Sequence, residues 1–468
     1  MQVYNSMSRG KEELRPIEPG HVKMYTCGPT VYNFAHIGNF RAYTFEDVLR
    51  RALEFGGSRV TQVMNHTDVD DKTIRGAKEK GVPLTVFTQP FKDAFHEDLK
   101  TLNIESAEHY PDATAHVPEM LALIQKLFDR GLAYQSEDGS IYFRVAGLPD
   151  YGKLAHLDRE NLRQGARVSA DEYEKETYGD FALWKAWDEN DGDVVWDSPW
   201  GRGRPGWHIE CSAMASKYLG ETFDLHTGGI DNLFPHHENE IAQSEGASGK
   251  PFVNYWMHCA HLRVNGEKMS KSLGNFFTLR DLIQKGWSGR EIRYVLINGH
   301  YRQALNFTFD ALDAARVSLA RIDECVDALT ERAGAASAGA VPEWAASARA
   351  AFAEAVNDDL NMPEAFAALF ALVRGGNSAL REDGALAPEA AAAVLAVFDG
   401  MDKVFGLVRF GRAARGDELP PEIEALVQAR VAARAAKDWA GSDRLRDELA
   451  ALGWEVRDSK DGQKIKRK

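Results

Sequence analysis

The sequence predicts a multidomain protein: an α/β unit built on a parallel sheet, then an α-helical bundle, then a small C-terminal module of mixed character. Three observations carry this expectation. The chain has 468 residues, too many for one ordinary domain. The first three hundred residues alternate short apolar runs with helical periodicity, the pattern of βαβ units. Beyond about Phe307 the composition changes to Ala, Leu, Glu and Arg with apolar residues three and four apart, the pattern of packed helices.

In chain order, Val22 to Cys27 reads as a short strand that ends in a Gly28-Pro29 turn. A helix follows from near Gly38 through Phe45, Val48, Leu49 and Leu53, is stopped by Gly56-Gly57, and gives way to a strand over Arg59 to Met64. This strand–helix–strand unit predicts a Rossmann-like parallel sheet with ligands beyond the carboxyl ends of its strands. Lys92 to Leu102 and Val117 to Arg130 read as helices. Residues 135 to 200 are rich in Gly, Asp and aromatics and read as a connecting insertion. The α/β pattern resumes with a helix over His208 to Leu219, a strand over Thr222 to His226 and a helix over His236 to Ser244. The expected domains are therefore 1–306, with an insertion at about 110–205, then 307–410 for the bundle and 411–468 for the terminal module. That module should open with a helix from about Glu418 through Trp439 and close around Leu445, Leu449, Trp454 and Val456. The last eight residues, DGQKIKRK, read either as a solvated tail or as a contact for RNA phosphates.

Composition excludes several classes. The residues are 44% apolar and 27% charged, as in a folded protein with sizeable cores. The longest uncharged apolar runs, Ala365 to Val373 and Ala390 to Phe398, fall far short of a membrane span, and the N-terminal residues lack the apolar core of a secretory signal, so a cytoplasmic location is expected. Four cysteines, Cys27, Cys211, Cys259 and Cys325, are too few for a disulfide scaffold. A net charge of -14 argues against non-specific coating of nucleic acid but leaves room for a local RNA-binding patch.

Two constellations carry chemistry. In FPHHENE, His236 and Glu240 stand four apart, so a helix would place them on one face; with Cys27 and Cys211 they would make a zinc set of two thiolates, an imidazole and a carboxylate. On spacing alone, the same residues read equally as polar active-site groups and as buried cysteines. H-E-x-x-H is absent, so an ordinary metalloprotease is not expected. The second constellation is polar and basic. His36-Ile37-Gly38-Asn39 sits where the first strand hands over to a helix, where free N–H groups attract anions and a protonated or donating His36 would be useful. Lys268-Met269-Ser270-Lys271-Ser272 offers two lysines and two hydroxyls to a polyphosphate, or simply forms a solvated loop.

Taken in order, these pieces resemble the class I aminoacyl-tRNA synthetases. His36 to Asn39 is similar to their HIGH motif and Lys268 to Ser272 matches their KMSKS motif. YTCGPTVYNFAHIGN, NHTDVDDK, GRPGWHIECSAM, LHTGGIDNLFPHHENEIAQSE and GEKMSKSLGNF resemble segments of the cysteinyl-tRNA synthetases, as does NDDLNMPEA in the helical region. The resemblance implies ligation of L-cysteine to cysteine tRNA through an adenylate, at the expense of ATP with Mg2+, and one Zn2+ per chain held by Cys27, Cys211, His236 and Glu240, with His237 a neighbour. It implies that His36, Gly38, Asn39, Gly229, Asp231, Lys268 and Lys271 meet ATP, with His36, Asn39, Lys268 and Lys271 acting on the phosphates. Thr67, Trp207 and His226 would lie about the amino acid, Trp207 closing over its side chain. Metal ligation of the thiol fits the substrate, because a pocket relying on size alone gains only about 1–3 kcal/mol per methylene. A monomer is also implied.

Two departures stand out. The fourth position of the first motif is Asn39 rather than His, which donates a hydrogen bond but carries no charge. The C-terminal residues lack the tryptophan that family members often have there. Competing readings are a zinc-dependent enzyme joining cysteine to an amino-sugar, which would need no anticodon-binding end, and a catalytically silent RNA-binding relative.

Overall fold

The structure, a computed structural model, describes residues 1–157, 167–168, 179–270, 273–381, 386–410, 421–435, 438–459 and 462–467. It divides into two compact units, Met1–Phe405 and Gly406–Lys468.

The first unit is organised about a four-stranded parallel sheet in the order Val253–Cys259, Phe223–Gly229, His21–Thr26, Arg59–Met64. The chain enters at a central strand, His21–Thr26, and winds outward through the helix Ile37–Phe55 to Arg59–Met64. It returns much later to Phe223–Gly229, on the other side of that central strand, and winds outward again through the helix Glu238–Ser248 to Val253–Cys259. The strand order thus reverses between His21–Thr26 and Phe223–Gly229, and the crevice beyond the carboxyl ends of those two strands is where an open α/β sheet binds ligands.

Between the two halves, the connecting region contains its own small sheet, in the order Ala133–Gln135, Ile141–Phe143, Asp180–Ala186, Arg167–Val168, with Gly203–Pro205 also paired to Asp180–Ala186. Its short strands explain why no clear period is visible there. The helix expected from Lys92 begins at Leu84 instead, with Pro83 at its N-cap and Pro90 tolerated in its second turn. The strand expected to stop at His226 runs on to Gly229. The helix expected from His236 begins at Glu238, behind a separate turn at Leu233–His237 in which Phe234 is extended (φ -139°, ψ 133°).

Four helices, Phe309–Ala333, Glu343–Asn357, Met362–Arg381 and Pro388–Phe405, form the helical region of this unit, burying Leu319, Ile322, Phe352, Leu369, Leu372 and Phe398. Charge ties them to the α/β part. Asp47, in the first long helix, is fully enclosed and meets Arg293 at 2.5 Å and Arg51 at 2.8 Å. Arg293 also donates to the carbonyls of Leu102 and Phe405, and Arg51 to that of Asn103. Burial pushes the Asp47 carboxyl up, but the charges of the two arginines overcome it and hold it below the usual carboxylate range.

The second unit differs from the expectation. In place of one helix through Trp439, there are two, Pro421–Ala435 and Trp439–Ala451, the latter capped by Asp438. The C-terminal residues are not a tail: Gly462–Arg467 forms a strand antiparallel to Trp454–Ser459. Gln463 fixes it, accepting from Arg430 at 2.5 Å and donating to the Val427 carbonyl at 2.9 Å. Ile423, Val427, Leu449 and Trp454 make a separate small core. The side chains of Lys464, Lys466 and Arg467 lie outside the described residues.

Candidate metal and nucleotide site

Cys27 is the first residue beyond the central strand. Its N–H donates to the Thr227 carbonyl at 3.3 Å, and the next residue, Gly28, lies so close to Asn65 that an added Cβ would sit 1.6 Å from the Asn65 carbonyl oxygen. Only glycine permits that approach, and it sets the Cys27 side chain at the crevice. Cys211 lies in the helix Trp207–Leu219, whose N-cap, Gly206, is pressed against the Ala182 carbonyl. His236 comes from the turn Leu233–His237 and Glu240 from the first turn of the helix behind it. These four are brought together: their donor atoms all lie within 4.8 Å of one another. A second set, Cys27, His226, His237 and Glu240, meets the same limit and shares two members with the first.

Glu240 is the hub. Its two oxygens meet His236 Nε2 and His226 Nε2, each at 3.0 Å, and all three side chains are enclosed. Burial opposes ionisation of Glu240, but the charges of the two imidazoles and their hydrogen bonds hold the carboxyl down at about 2. Burial likewise opposes the charge on His236, whereas Glu240 and Cys211 raise it to about 10. The two thiols diverge: Cys211 falls to about 6 through its hydrogen bond with Cys27, while burial drives Cys27 well up. An outer ring supports the donors. His208 Nδ1 lies 2.9 Å from His236 Nδ1; His237 Nε2 lies 3.3 Å from Cys27 Sγ, and its Nδ1 is 2.9 Å from His258 Nε2; His258 Nδ1 in turn meets Ser6 Oγ at 2.7 Å. Two soft sulfurs, an imidazole and a carboxylate with oriented second nitrogens are a donor set that suits zinc.

The amino-acid residues fall around this cluster with different roles. Trp207 stacks on the His236 ring (4.2 Å, 21°) beside the cluster. Thr67 is buried, accepts from Asn65 Nδ2 at 3.2 Å, and through its backbone bridges Thr30, tying together the turns after two neighbouring strands. His226 stands behind Glu240, fully enclosed and stacked on Trp256 (4.7 Å, 18°).

At the start of the helix Ile37–Phe55, His36 is the N-cap. Its Nδ1 accepts from the Asn39 N–H at 3.2 Å, and Asn39 Oδ1 accepts from the His36 N–H at 3.1 Å, a reciprocal capping box. Of the two states expected for His36, protonated or donating, this arrangement fits the donating one: Nδ1 is an acceptor, which leaves the proton on Nε2, and burial lowers the pKa of the ring. Asn39 therefore has a structural reason to stand in the fourth position, since its carbonyl oxygen closes the box while its amide nitrogen remains as a donor. Gly38 faces Met269: an added Cβ would lie 2.7 Å from the methionine methyl, so the two signature segments touch. Lys268 is exposed on a short strand paired with Leu262–Val264. Lys271 lies outside the described residues. Gly229 ends its strand against Asp231, whose Oδ1 is 2.4 Å from the position of a Cβ at 229, and Asp231 itself is exposed at the crevice.

Sequence reasoning singled out none of Asn65, His208 or His258. His208 had a usable signal, standing three residues before Cys211 on one helix face. Asn65 opens the NHTDVDDK segment but carried no role there, and His258 had no signal, being brought in by a strand end far away in the chain.

Among the described residues, no helix is long and apolar enough to cross a membrane. The description "tRNA synthetases class I (C) catalytic domain" matches residues 13–317, "DALR domain" residues 351–409, and "Cysteinyl-tRNA ligase anticodon binding domain" residues 416–465. The chain is 50% identical to a cysteine–tRNA ligase of Protochlamydia amoebophila, covering 100% of this chain and 98% of that one, and 48% identical to that of Chlamydia muridarum, covering 99% of each. Among solved structures, it is similar in fold to methionyl-tRNA synthetase of Mycobacterium tuberculosis (TM-score 0.62, 15% identity, 86% of this chain and 94% of that one) and to the agnB2 LeuRS of Agrobacterium radiobacter K84 (TM-score 0.63, 11% identity, 87% of each). With half its residues shared along the full length, and with a sheet whose crevice gathers both signature segments, the chain belongs to the cysteine–tRNA ligase family of class I tRNA synthetases.

Proposed function

We propose that this chain joins L-cysteine to cysteine tRNA in two steps, and that the cluster at the sheet switch point is what selects the amino acid. The observation that carries the selection is the convergence of Cys27, Cys211, His236 and Glu240 within 4.8 Å. Of the two overlapping sets this one is preferred because it offers two thiolates, leaving His237 to donate a hydrogen bond to the Cys27 sulfur and His226 to back Glu240. A zinc ion held there would bind the substrate thiol as thiolate, which neither serine nor valine can match. Trp207, resting on His236, would cover the short side chain, and Thr67 would shape the wall toward the first strand.

In the first step the cysteine carboxylate attacks the α-phosphate of ATP and expels pyrophosphate, giving cysteinyl-adenylate. His36 Nε2, the Asn39 amide and the helix N–H groups would hold the phosphates, with Lys268 and Lys271 meeting the charge that builds during transfer and magnesium accompanying the nucleotide. Asp231 would accept from ribose hydroxyls beside Gly229. In the second step the terminal ribose hydroxyl of the tRNA attacks the activated carbonyl and releases AMP. No side-chain nucleophile is required in either step; orientation and electrostatics supply the rate. The division of labour would run through domains 1–306, 307–410 and 411–468, the last reading the anticodon. A cytoplasmic site of action and a monomeric state complete the reading.

The test is metal analysis of protein purified without added zinc, alongside cysteine-dependent ATP–pyrophosphate exchange and charging of cysteine tRNA. One zinc per chain, exchange and charging are expected. Fully active protein without stoichiometric metal would remove the thiol-selection role; exchange that proceeds to an amino-sugar but not to tRNA would favour the amino-sugar ligase.

A further inference from the structure

The residue that follows the KMSKS segment at a distance of three, Asn275, has no role in the chemistry above, yet its carboxamide holds two residues of that segment, Lys268 and Ser270. Its Oδ1 accepts from the Ser270 N–H at 2.8 Å, and its Nδ2 donates to the Lys268 carbonyl at 3.2 Å. Both halves of the amide are used, one as acceptor and one as donor, so the link specifies asparagine and not merely a small polar group. The residues immediately after it dock on the other signature. The Phe276 ring meets His36 edge-on (5.0 Å, 79°), the Ile37 N–H donates to the Phe277 carbonyl at 3.0 Å, and Thr278 forms a backbone bridge with His36. From the loop side, the Met269 methyl occupies the space that a side chain at Gly38 would need.

We infer that Asn275 is a positioning residue for adenylate formation: its carboxamide sets the backbone of Lys268 to Ser270, while the following three residues hold that loop in register with the helix start at His36. The inference rests on the phosphate roles proposed for Lys268 and His36. An active site gains from a lysine already aimed at the place where charge develops, because no reorganisation is then needed during the reaction. Strand pairing with Leu262–Val264 holds Lys268 from one side only; without the Asn275 amide the chain leaving it through Met269 and Ser270 would be free over many backbone conformations, and fixing them would slow each turnover.

Asn275 is half-exposed, and its two bonds are to loop backbone, so its loss should leave the fold intact. The experiment compares Asn275→Ala, Asn275→Asp and the parent protein in cysteine-dependent ATP–pyrophosphate exchange, with melting temperature measured on each. Asn275→Asp keeps an acceptor for Ser270 but replaces the donor to Lys268 with a carboxylate oxygen. The expected result is a fall of about tenfold or more in the exchange rate at saturating ATP for both variants, an unchanged KM for cysteine, and an unchanged melting temperature. Exchange within twofold of the parent for either variant would overturn the inference. So would a rise in the cysteine KM in parallel with the loss of rate, or a lowered melting temperature, since either would mark a general structural role. Absence of exchange in the parent would refute the proposed reaction itself, which keeps the two failures separate.

Discussion

Two buried charge clusters lie in the same unit and are built on opposite logic. Around Asp47, one carboxylate faces two guanidiniums, and their remaining N–H groups are spent on the carbonyls of Leu102, Asn103 and Phe405. Glu105 adds a second carboxylate against Arg51 at 2.9 Å, so two acids face the two guanidiniums and charge is matched. Around Glu240, the partners are two imidazoles instead of lysine or arginine, two sulfurs stand beside them, and each His236 and His237 ring is braced from behind by another histidine. Such a cluster has the donors that the proposed metal ion would need. Comparing the two teaches that burial and ion pairing alone do not mark a functional site; softness of the donors, and second nitrogens already oriented, do.

The comparison can be broken from its structural side first. Asp47→Ala should remove the only acid bonded to Arg293 among the described residues and leave that guanidinium enclosed and uncompensated, while Arg51 keeps Glu105 at 2.9 Å, costing about 3–5 kcal/mol of stability. Urea unfolding of the variant checks it, and a loss under about 1 kcal/mol would mean that the carbonyl network suffices alone. The same group sets an acid limit. Because its folded pKa lies below the unfolded value of about 3.9, its contribution is present above that pH and is lost as pH falls through the lower folded value.

From the metal side, His208→Ala should leave the four proposed ligands in place but remove the brace on His236. A reduction of about 10–100-fold in zinc affinity is expected, read by competition with a chelator. Zinc affinity equal to the parent's would place His236 outside the ligand set and favour the alternative set with His226 and His237.

The smallest effect concerns a carboxylate that belongs to neither type. Asp98 is raised by burial to about 6, with Arg280 opposing at 3.3 Å, and its Oδ2 has no hydrogen-bond partner among the described residues. A raised acid favours the folded state below about pH 4 and loses that advantage as pH rises through 6. Asp98→Asn should therefore stabilise the protein at pH 7.5 by on the order of 1 kcal/mol, after allowance for solvent screening, and have no such effect at pH 4. Thermal melts at the two pH values would show it; an equal shift at both would refute the ionisation argument.

Much of this was legible in the sequence because the period and the turn residues agree with the fold. The helix after His36 and the strand Arg59–Met64 stand where the glycines and apolar spacing put them. The metal candidates were legible as residue types but not as a cluster. Cys27 and Cys211 are 184 positions apart, and only the sheet's winding order brings them together. The turn Leu233–His237 was hidden because an HHENE stretch reads as continuous helix, whereas Phe234 is extended there. The terminal strand was hidden for a different reason. Four basic residues in DGQKIKRK suggest solvation, but pairing with Trp454–Ser459 and the Gln463 bonds are long-range facts that composition does not encode.

The end of the strand Phe223–Gly229 has four successive residues with four separate obligations. His226 backs Glu240, Thr227 holds Cys27 through its carbonyl and Glu46 through its hydroxyl, Gly228 leaves room for the His237 ring, and Gly229 yields to Asp231. Side chains alternate between the two faces of a strand, so a one-residue insertion or deletion would exchange all four duties at once. This stretch has almost no freedom to evolve piecemeal: with the roles proposed above, selectivity for the amino acid and affinity for the nucleotide would be inherited together there, and a variant that trades one for the other would be sought in the loops beyond it.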